Sequence, residues 1–182
     1  MESITNKIKA LKKIIPFKWR VQRGFSDKSN IEWVSLVPYV DARDVQNHLD
    51  KTLGEENWQD EYYQVKGTLM CKVGVLINGN WVWKSGAGAE TTFEKQKGEA
   101  SDAFKRACLK WGVNRDAYEL GEVYVKAKSY TDNKGKKQYQ PMDGSKKLKG
   151  QALYDFCNNK IDMENMPNFN LEESNKSLKE LV

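Results

Sequence analysis

This sequence is poor in the residues that build disulfide frameworks and metal sites. Its 182 residues include three cysteines and one histidine. Cys71, Cys108 and Cys157 are odd in number and widely spaced, which argues against a disulfide-stapled fold and predicts reduced thiols packed in a core. His48 cannot complete a zinc site with cysteines this far apart, so we expect it on the surface or packed against a helix.

Long hydrophobic runs are also lacking. Charged residues make up 30% of the chain, and lysines interrupt the apolar stretches near its N-terminus. We therefore expect no membrane span, no secretory signal and a cytoplasmic location. The apolar content of 39%, with six Trp, eight Tyr and six Phe, predicts one compact domain with flanking segments.

Basic residues are concentrated in two segments. Residues 1–24 hold seven basic side chains against Glu2, and residues 126–150 hold eight lysines against Asp132 and Asp143. The residues between them, 25–125, lean acidic, with twelve basic and sixteen acidic side chains. This segregation indicates a polyanionic partner, although solvated lysine-rich loops would give the same pattern.

Hydrophobic periodicity and turn residues predict a mixed α+β chain. Cys71, Val73 and Val75 occupy one face of an extended run, and Asn78-Gly79 signals a type I′ hairpin turn. The predicted elements are a helix over 3–15, a hairpin over 17–40 with its turn at 24–30, a helix over 41–54, at least two antiparallel strands over 61–87 and a helix over 92–111.

These patterns divide the chain into four segments. Residues 1–16 are expected to form an amphipathic helix and 17–125 the core. Residues 126–160 are predicted to be lysine-rich loops around a possible short strand, with a helix near 148–158 packed on the core, and 161–182 a flexible tail. Gly86 and Gly88 are expected to let the chain turn away from the sheet.

The helix predicted over 92–111 has one apolar and one polar side. Lys105 and Arg106 lie on the two edges of the polar side. They could hold phosphates without reading sequence, or they could be solvated cations near a helix C-terminus, where positive charge is favourable. The apolar side consists of Ala100, Ala103, Phe104, Ala107, Cys108 and Trp111.

Residues 86–113 carry a motif in which order and spacing agree. They read GAGAETTFEKQKGEASDAFKRACLKWGV, with a glycine turn, a Glu-Lys and Glu-Ala helix, the doublet Lys105-Arg106 and then Gly112. Residues 37–63 add a tyrosine, a short helix and an Asn-Trp step, and residues 69–88 add a hairpin. Together they resemble the Rad fifty-two/Rad twenty-two superfamily of single-strand-annealing proteins, in particular the Sak-type phage recombinases.

The resemblance implies a β-β-β-α annealing core, in which a curved antiparallel sheet packs against a long helix, preceded by an N-terminal helix and a hairpin. Lys105 and Arg106 match the basic pair that lines the DNA groove of the family, and Tyr39 matches an aromatic residue at its inner wall. The arginine expected on the preceding hairpin is Arg23, with Arg20 as second choice. The chain departs from the family at the next basic position, where Leu109 stands, and Lys110 is expected to substitute.

The function implied by the resemblance is sequence-independent binding of single-stranded DNA and ATP-independent annealing of complementary strands in homologous recombination and double-strand-break repair. The family uses no cofactor, and no nuclease or ATPase activity is part of it. The expected partners are single-stranded DNA, the annealed duplex, further copies of the chain in a ring or helical oligomer, and a single-strand-binding protein contacted by the tail. A phage-encoded member would act in the cytoplasm of its bacterial host.

Two other functions compete with this one. A double-stranded RNA or DNA binding module also has a helix, three strands and a lysine-rich second helix. A metal-dependent nuclease would need carboxylates such as Asp41, Asp44, Glu90 and Glu99, which stand at predicted helix caps or on helix faces instead of on adjacent strands.

Overall fold

The computed structural model of the protein describes residues 3–89 and 95–161, without the side chains of 95–97. The chain is mixed α+β with antiparallel sheets, as predicted. Residues 3–16, 40–89 and 95–116 form one compact unit, called here the three-stranded unit. Residues 17–39 and 117–161 form a second, the five-stranded unit. No helix in the described ranges is long and apolar enough to cross a bilayer.

The elements follow one another in this order: α1 (Ile4–Ala10), β1 (Lys18–Ser26), β2 (Glu32–Tyr39), α2 (Ala42–Leu53), a 3-10 turn (Glu55–Asn57), β3 (Trp58–Val65), β4 (Thr68–Ile77), β5 (Asn80–Ala87), α3 (Lys95–Lys110), α4 (Arg115–Glu119), β6 (Val123–Thr131), β7 (Lys137–Asp143), β8 (Lys146–Lys147) and α5 (Gly150–Asn158).

The three-stranded unit is built on the antiparallel sheet β3–β4–β5. Both of its hairpins turn on two residues with positive φ, Lys66-Gly67 and Asn78-Gly79. This backbone is that of a type I′ turn and confirms the prediction for Asn78-Gly79. The turn at Lys66-Gly67 escaped prediction because it lacks the asparagine that marks such turns in a sequence.

Helix α3 packs against β4 and β5 through the predicted apolar side. Cys71, Val73 and Val75 of β4 are fully buried. The indole nitrogen of Trp111 donates to the Val73 carbonyl oxygen at 3.0 Å, and the ring of Phe104 lies 6.1 Å from that of Trp58. The helix is therefore fixed with its polar side turned away from the sheet.

The glycines at the end of β5 are there for close packing. Neither Gly86 nor Gly88 has a positive φ. A Cβ on Gly86 would overlap the backbone of Ala107, and one on Gly88 would come within 2.6 Å of the Glu99 carbonyl oxygen. Glycine is therefore required at these positions because α3 lies directly against this strand. The expected turn is not the reason.

Helix α2 and His48 follow the sequence prediction. The helix begins after Asp41 and ends at Gly54, whose φ is +94°. His48 is half-buried, with Nε2 3.3 Å from the Leu11 carbonyl oxygen, and burial lowers the pKa of its imidazole. It is a helix-packing residue, as expected.

The five-stranded unit has the strand order β1–β2–β6–β7–β8. Helix α5 packs against β1, where the Trp19 indole nitrogen donates to Asn158 Oδ1 at 3.0 Å and the Phe17 ring lies 5.5 Å from that of Tyr154. Because β2 pairs with β6, the hairpin of residues 17–39 groups with the C-terminal strands. The segment predicted as the core, 17–125, therefore has residues in both units.

The region predicted as lysine-rich loops is largely sheet. Residues 126–143 complete β6 and form β7, which pair from Ala127↔Pro141 to Thr131↔Lys137. The loop prediction was wrong for these strands because the exposed lysines and tyrosines give them the composition of a polar loop. The helix predicted near 148–158 is confirmed as α5.

All three cysteines are free and buried, which confirms their predicted core packing. Burial raises the pKa of the Cys71 and Cys157 thiols to about 12. Burial also raises the pKa of Cys108 well above its usual value. These thiols are therefore protonated and shielded at neutral pH.

Candidate nucleic-acid interface

The polar side of α3 carries the basic residues that the motif singled out. Arg106 and Lys110 are one turn apart and both are exposed. Lys105 is half-buried, and its Nζ donates to the Val40 carbonyl oxygen at 3.3 Å. The two members of the predicted doublet therefore differ, since Arg106 faces solvent while Lys105 also ties α3 to the short connection between β2 and α2.

Asp102 positions the Arg106 side chain. The Arg106 Nε donates to Oδ2 of Asp102 at 2.8 Å across one helical turn. The same oxygen accepts the backbone N–H of Ala89 at 2.9 Å. Arg106 nevertheless remains 54% exposed, so its guanidinium is held in place and can still offer N–H donors to a phosphate.

Further cations gather at the C-terminal end of α3, and sequence reasoning missed them. Lys84 of β5 donates from Nζ to the Lys110 carbonyl oxygen at 2.8 Å, and Arg115 donates from Nη2 to the Leu109 carbonyl oxygen at 2.9 Å. Burial, and then the positive charges of Arg115 and Lys12, lower the pKa of Lys84. Cations stabilise the C-terminal end of a helix, which explains part of this clustering.

A β-bulge places the two candidate arginines on one face of the other sheet. Arg20 and Arg23 are three residues apart, which in a regular strand would put them on opposite faces. The register of β1 on β2 shifts so that Gln22 is an extra residue. Arg20 lies opposite Val37 and Arg23 opposite Ser35, two positions apart on β2, and both arginines therefore share a face.

Aromatic rings lie beneath both arginines. The guanidinium carbon of Arg20 is 4.8 Å from the centroid of the Tyr39 ring, and that of Arg23 is 5.8 Å from the Phe25 ring. Contacts of this kind orient a guanidinium while leaving its N–H donors at the edge. The Tyr39 ring therefore lies under Arg20, the second choice for the hairpin arginine, and not under Arg23.

Glu122 is the acidic partner on this face. Its Oε2 accepts hydrogen bonds from Ser35 Oγ at 2.7 Å and from the Tyr124 hydroxyl at 2.8 Å, and these bonds lower the pKa of its carboxyl group. The Arg23 Nη2 is 3.8 Å from the same oxygen. At that distance and exposure the ion pair is weak, so Arg23 is not committed to it.

Strand β6 adds residues that sequence reasoning missed. Val123 and Val125 are buried while the alternate positions are exposed. Tyr124 pairs with Ser35, which pairs with Arg23, so the exposed side of β6 is the face of the arginines. The alternation of apolar and polar residues from Val123 onward indicates a strand, and the loop prediction overlooked it. The exposed residues are Tyr124, Lys126, Lys128 and Tyr130.

The six residues predicted for the site fall into two groups. Each group lies together within its own unit. Lys105, Arg106 and Lys110 are on α3 in the three-stranded unit, and Arg20, Arg23 and Tyr39 are on the β1–β2 hairpin in the five-stranded unit.

Three of the four carboxylates considered for a nuclease, Asp41, Asp44 and Glu99, lie in the part of the chain that the structure describes. Among the residues that the structure describes, no three His, Cys, Asp or Glu side chains come together in a way that could hold a metal ion. The Glu99 carboxylate instead accepts the backbone N–H of Leu69 at 3.2 Å. Glu90 lies outside the described residues.

Both groups offer cations on regular secondary structure, and the hairpin group adds aromatic rings. Phosphates and bases are bound by this combination of side chains. The sequence matches no protein-family model and no curated protein. A nucleic-acid interface is therefore supported by the sequence motif and by the geometry of these two groups.

Proposed function

We propose that this protein binds single-stranded DNA without sequence specificity and anneals complementary strands, without ATP, in homologous recombination and double-strand-break repair. The observation that carries the proposal is the bulge in β1, which brings Arg20 and Arg23 to one exposed face with Tyr39 beneath the first of them. Guanidinium groups bind phosphates whatever the base sequence. Strands gripped by their backbones can sample register and pair.

In this proposal β3–β4–β5 and α3 are the annealing core of a member of the Rad fifty-two/Rad twenty-two superfamily. Arg106, held by Asp102, and Lys110 would bind phosphates along the exposed side of α3. Neither needs a cofactor or a catalytic residue for this task. Each phosphate contact releases counterions, so affinity should fall steeply with salt.

Self-assembly into a ring or helical oligomer is part of the proposal. Strands β3 and β5 form the two edges of the three-stranded sheet and expose Tyr62, Val65 and Val82. Edge strands with exposed apolar side chains are suited to pairing with another chain. Residues 162–182, nearly all of the tail proposed to contact a single-strand-binding protein, lie outside the described residues.

A duplex-binding module is the second candidate, and one observation favours it. The elements α2, β3, β4, β5 and α3 follow the α-β-β-β-α order of double-stranded RNA binding domains. Such a module would leave the five-stranded unit, with Arg20 and Arg23, without a role.

A binding titration separates the two candidates. We expect fluorescence anisotropy to show tighter binding of labelled oligo-dT than of an A-form RNA duplex. The logarithm of the oligo-dT affinity should fall with the logarithm of salt concentration by about 0.7 for each phosphate contacted. Preference for the duplex, together with no annealing of complementary strands, would overturn the proposal and favour the second candidate.

A further inference from the structure

The exposed side of β6 continues the surface formed by the bulged arginines. Tyr124 is 44% exposed and Tyr130 is 54% exposed. Single exposed aromatic residues are ordinary on protein surfaces, but here two of them flank two lysines on one face. We call this surface the basic-aromatic face, and it consists of Arg20, Arg23, Tyr124, Lys126, Lys128 and Tyr130.

The two tyrosines are spaced for an extended ligand. They are six residues apart on one strand, about 20 Å at the usual rise per residue. Lys126 and Lys128 stand between them on the same side. A ligand lying along β6 would therefore meet an aromatic ring, two cations and a second aromatic ring in that order.

The tyrosines differ in how firmly they are held. The Tyr124 ring makes an edge-on contact with Phe25, with centroids 6.1 Å apart, and its hydroxyl donates to Glu122. Tyr130 lies opposite Gln138 in the sheet, and no hydrogen bond to its hydroxyl is present within residues 3–89 and 95–161. One ring is oriented in advance while the other can adjust to a ligand.

The charge of the basic-aromatic face indicates which kind of ligand binds there. Its four cations, two arginines and two lysines, outnumber two acidic neighbours, Glu122 beside Arg23 and Asp27 near Lys126. Lys126 also lies 6.0 Å over the ring of Trp33, whose indole nitrogen donates to Asp27. A second copy presenting the same face would bring like charges together, which disfavours symmetric self-association there. A polyanion that also carries flat apolar groups satisfies both the cations and the rings.

We infer that the basic-aromatic face is a stacking platform for single-stranded nucleic acid, with Tyr124 and Tyr130 stacking on bases and Lys126 and Lys128 binding the phosphates between them. The inference rests on the proposed function and adds base contacts to its phosphate contacts. Stacking on tyrosine tolerates any base, so sequence independence is retained. It also predicts that part of a bound strand is held by its bases.

The test compares two ligands that share a backbone. One is oligo-dT, and the other is an abasic oligomer with the same phosphates and sugars but no bases. The double variant Tyr124→Leu/Tyr130→Leu should bind oligo-dT at least about fivefold more weakly and the abasic oligomer as the wild type does. The double variant Lys126→Gln/Lys128→Gln should bind both ligands more weakly and show a smaller salt dependence.

Two controls keep the result interpretable. Tyr118→Leu removes a tyrosine of 51% exposure on α4, and should leave both affinities unchanged. Among the residues that the structure describes, Tyr130→Leu alone removes no hydrogen bond, so it reports on stacking even if loss of the Tyr124 contacts disturbs the fold. If the tyrosine variants bind oligo-dT as tightly as the wild type does, the stacking platform is wrong and the proposed function is unaffected. Wild-type protein that fails to bind oligo-dT would overturn both.

Discussion

Gly86 of β5 lies against Ala107 of α3 so closely that a Cβ at residue 86 would overlap the Ala107 amide nitrogen. This contact sets the distance between the three-stranded sheet and the helix that carries Arg106 and Lys110. Since helix and strand cannot both keep their positions if a methyl group is added, the glycine fixes how the basic side of α3 is presented.

Gly86→Ala should therefore destabilise the protein. We expect the free energy of unfolding to fall by about 1–3 kcal/mol, the usual range for overpacking a buried contact. Urea denaturation followed by tryptophan fluorescence measures it. Ser85→Ala, on the opposite face of the same strand, is the control and should change little. Equal midpoints for Gly86→Ala and the wild type would contradict the close packing.

Glu32 should make stability depend on pH in acid. Its Oε2 accepts the Ser129 N–H at 2.6 Å and its Oε1 lies 3.1 Å from Lys137 Nζ. Hydrogen bonds from Ser129, then from Lys137, lower the pKa of Glu32 to about 2. A lowered carboxyl pKa stabilises the folded state above the unfolded value near 4.5 and this contribution is lost as the pH falls toward 2.

The measurement is urea unfolding of the wild type and Glu32→Gln from neutral pH downward. The wild type should be the more stable at neutral pH, and the difference should close between about pH 4.5 and pH 2. Glu119→Gln, an exposed carboxylate on α4, serves as control. A difference that does not change with pH would show that the Glu32 contacts are not what stabilises the sheet.

The three thiols should be inert in the native protein. Burial raises the pKa of Cys71 and Cys157 to about 12 and that of Cys108 well above its usual value, so thiolate is scarce. Reaction with Ellman's reagent near pH 8 should be slow until urea unfolds the chain, when all three thiols react. Rapid stoichiometric reaction of the folded protein would contradict the described packing.

Arg106 and Lys105 should differ when each is replaced. Arg106→Gln removes an exposed cation, and we expect weaker oligo-dT binding with a salt slope smaller by about 0.7, which is one phosphate contact. Lys105→Gln removes the bond to the Val40 carbonyl oxygen and should mainly lower thermal stability. Anisotropy titrations measure the binding of both variants, and thermal melts measure their stability. Loss of stability in Arg106→Gln with loss of binding only in Lys105→Gln would contradict the structure.

The sequence predicted the elements whose pattern is local. The stripe through Ala103, Phe104 and Ala107 and the alternation through Cys71 and Val73 both indicate which side is buried, and both are confirmed. Asn78-Gly79 marked its turn because that pair tolerates positive φ. Where local propensity and tertiary packing favour the same structure, the element can be predicted from the sequence.

What the sequence could not supply depends on partners distant along the chain. The bulge at Gln22 exists only in the register between β1 and β2, and without it Arg20 and Arg23 would lie on opposite faces. Lys126 belongs to a strand because it pairs with Trp33 of β2, about ninety residues away. Composition alone makes that stretch look like a loop.

The most direct test of the proposed function is the annealing rate of two complementary, fluorescently labelled DNA strands without nucleotide. The wild type should accelerate annealing, and Arg20→Gln/Arg23→Gln should lose most of that acceleration. Lys51→Gln, which removes an exposed charge from α2, should keep it. No acceleration by the wild type would contradict annealing as the function, and full acceleration by the arginine variant would contradict the role of Arg20 and Arg23.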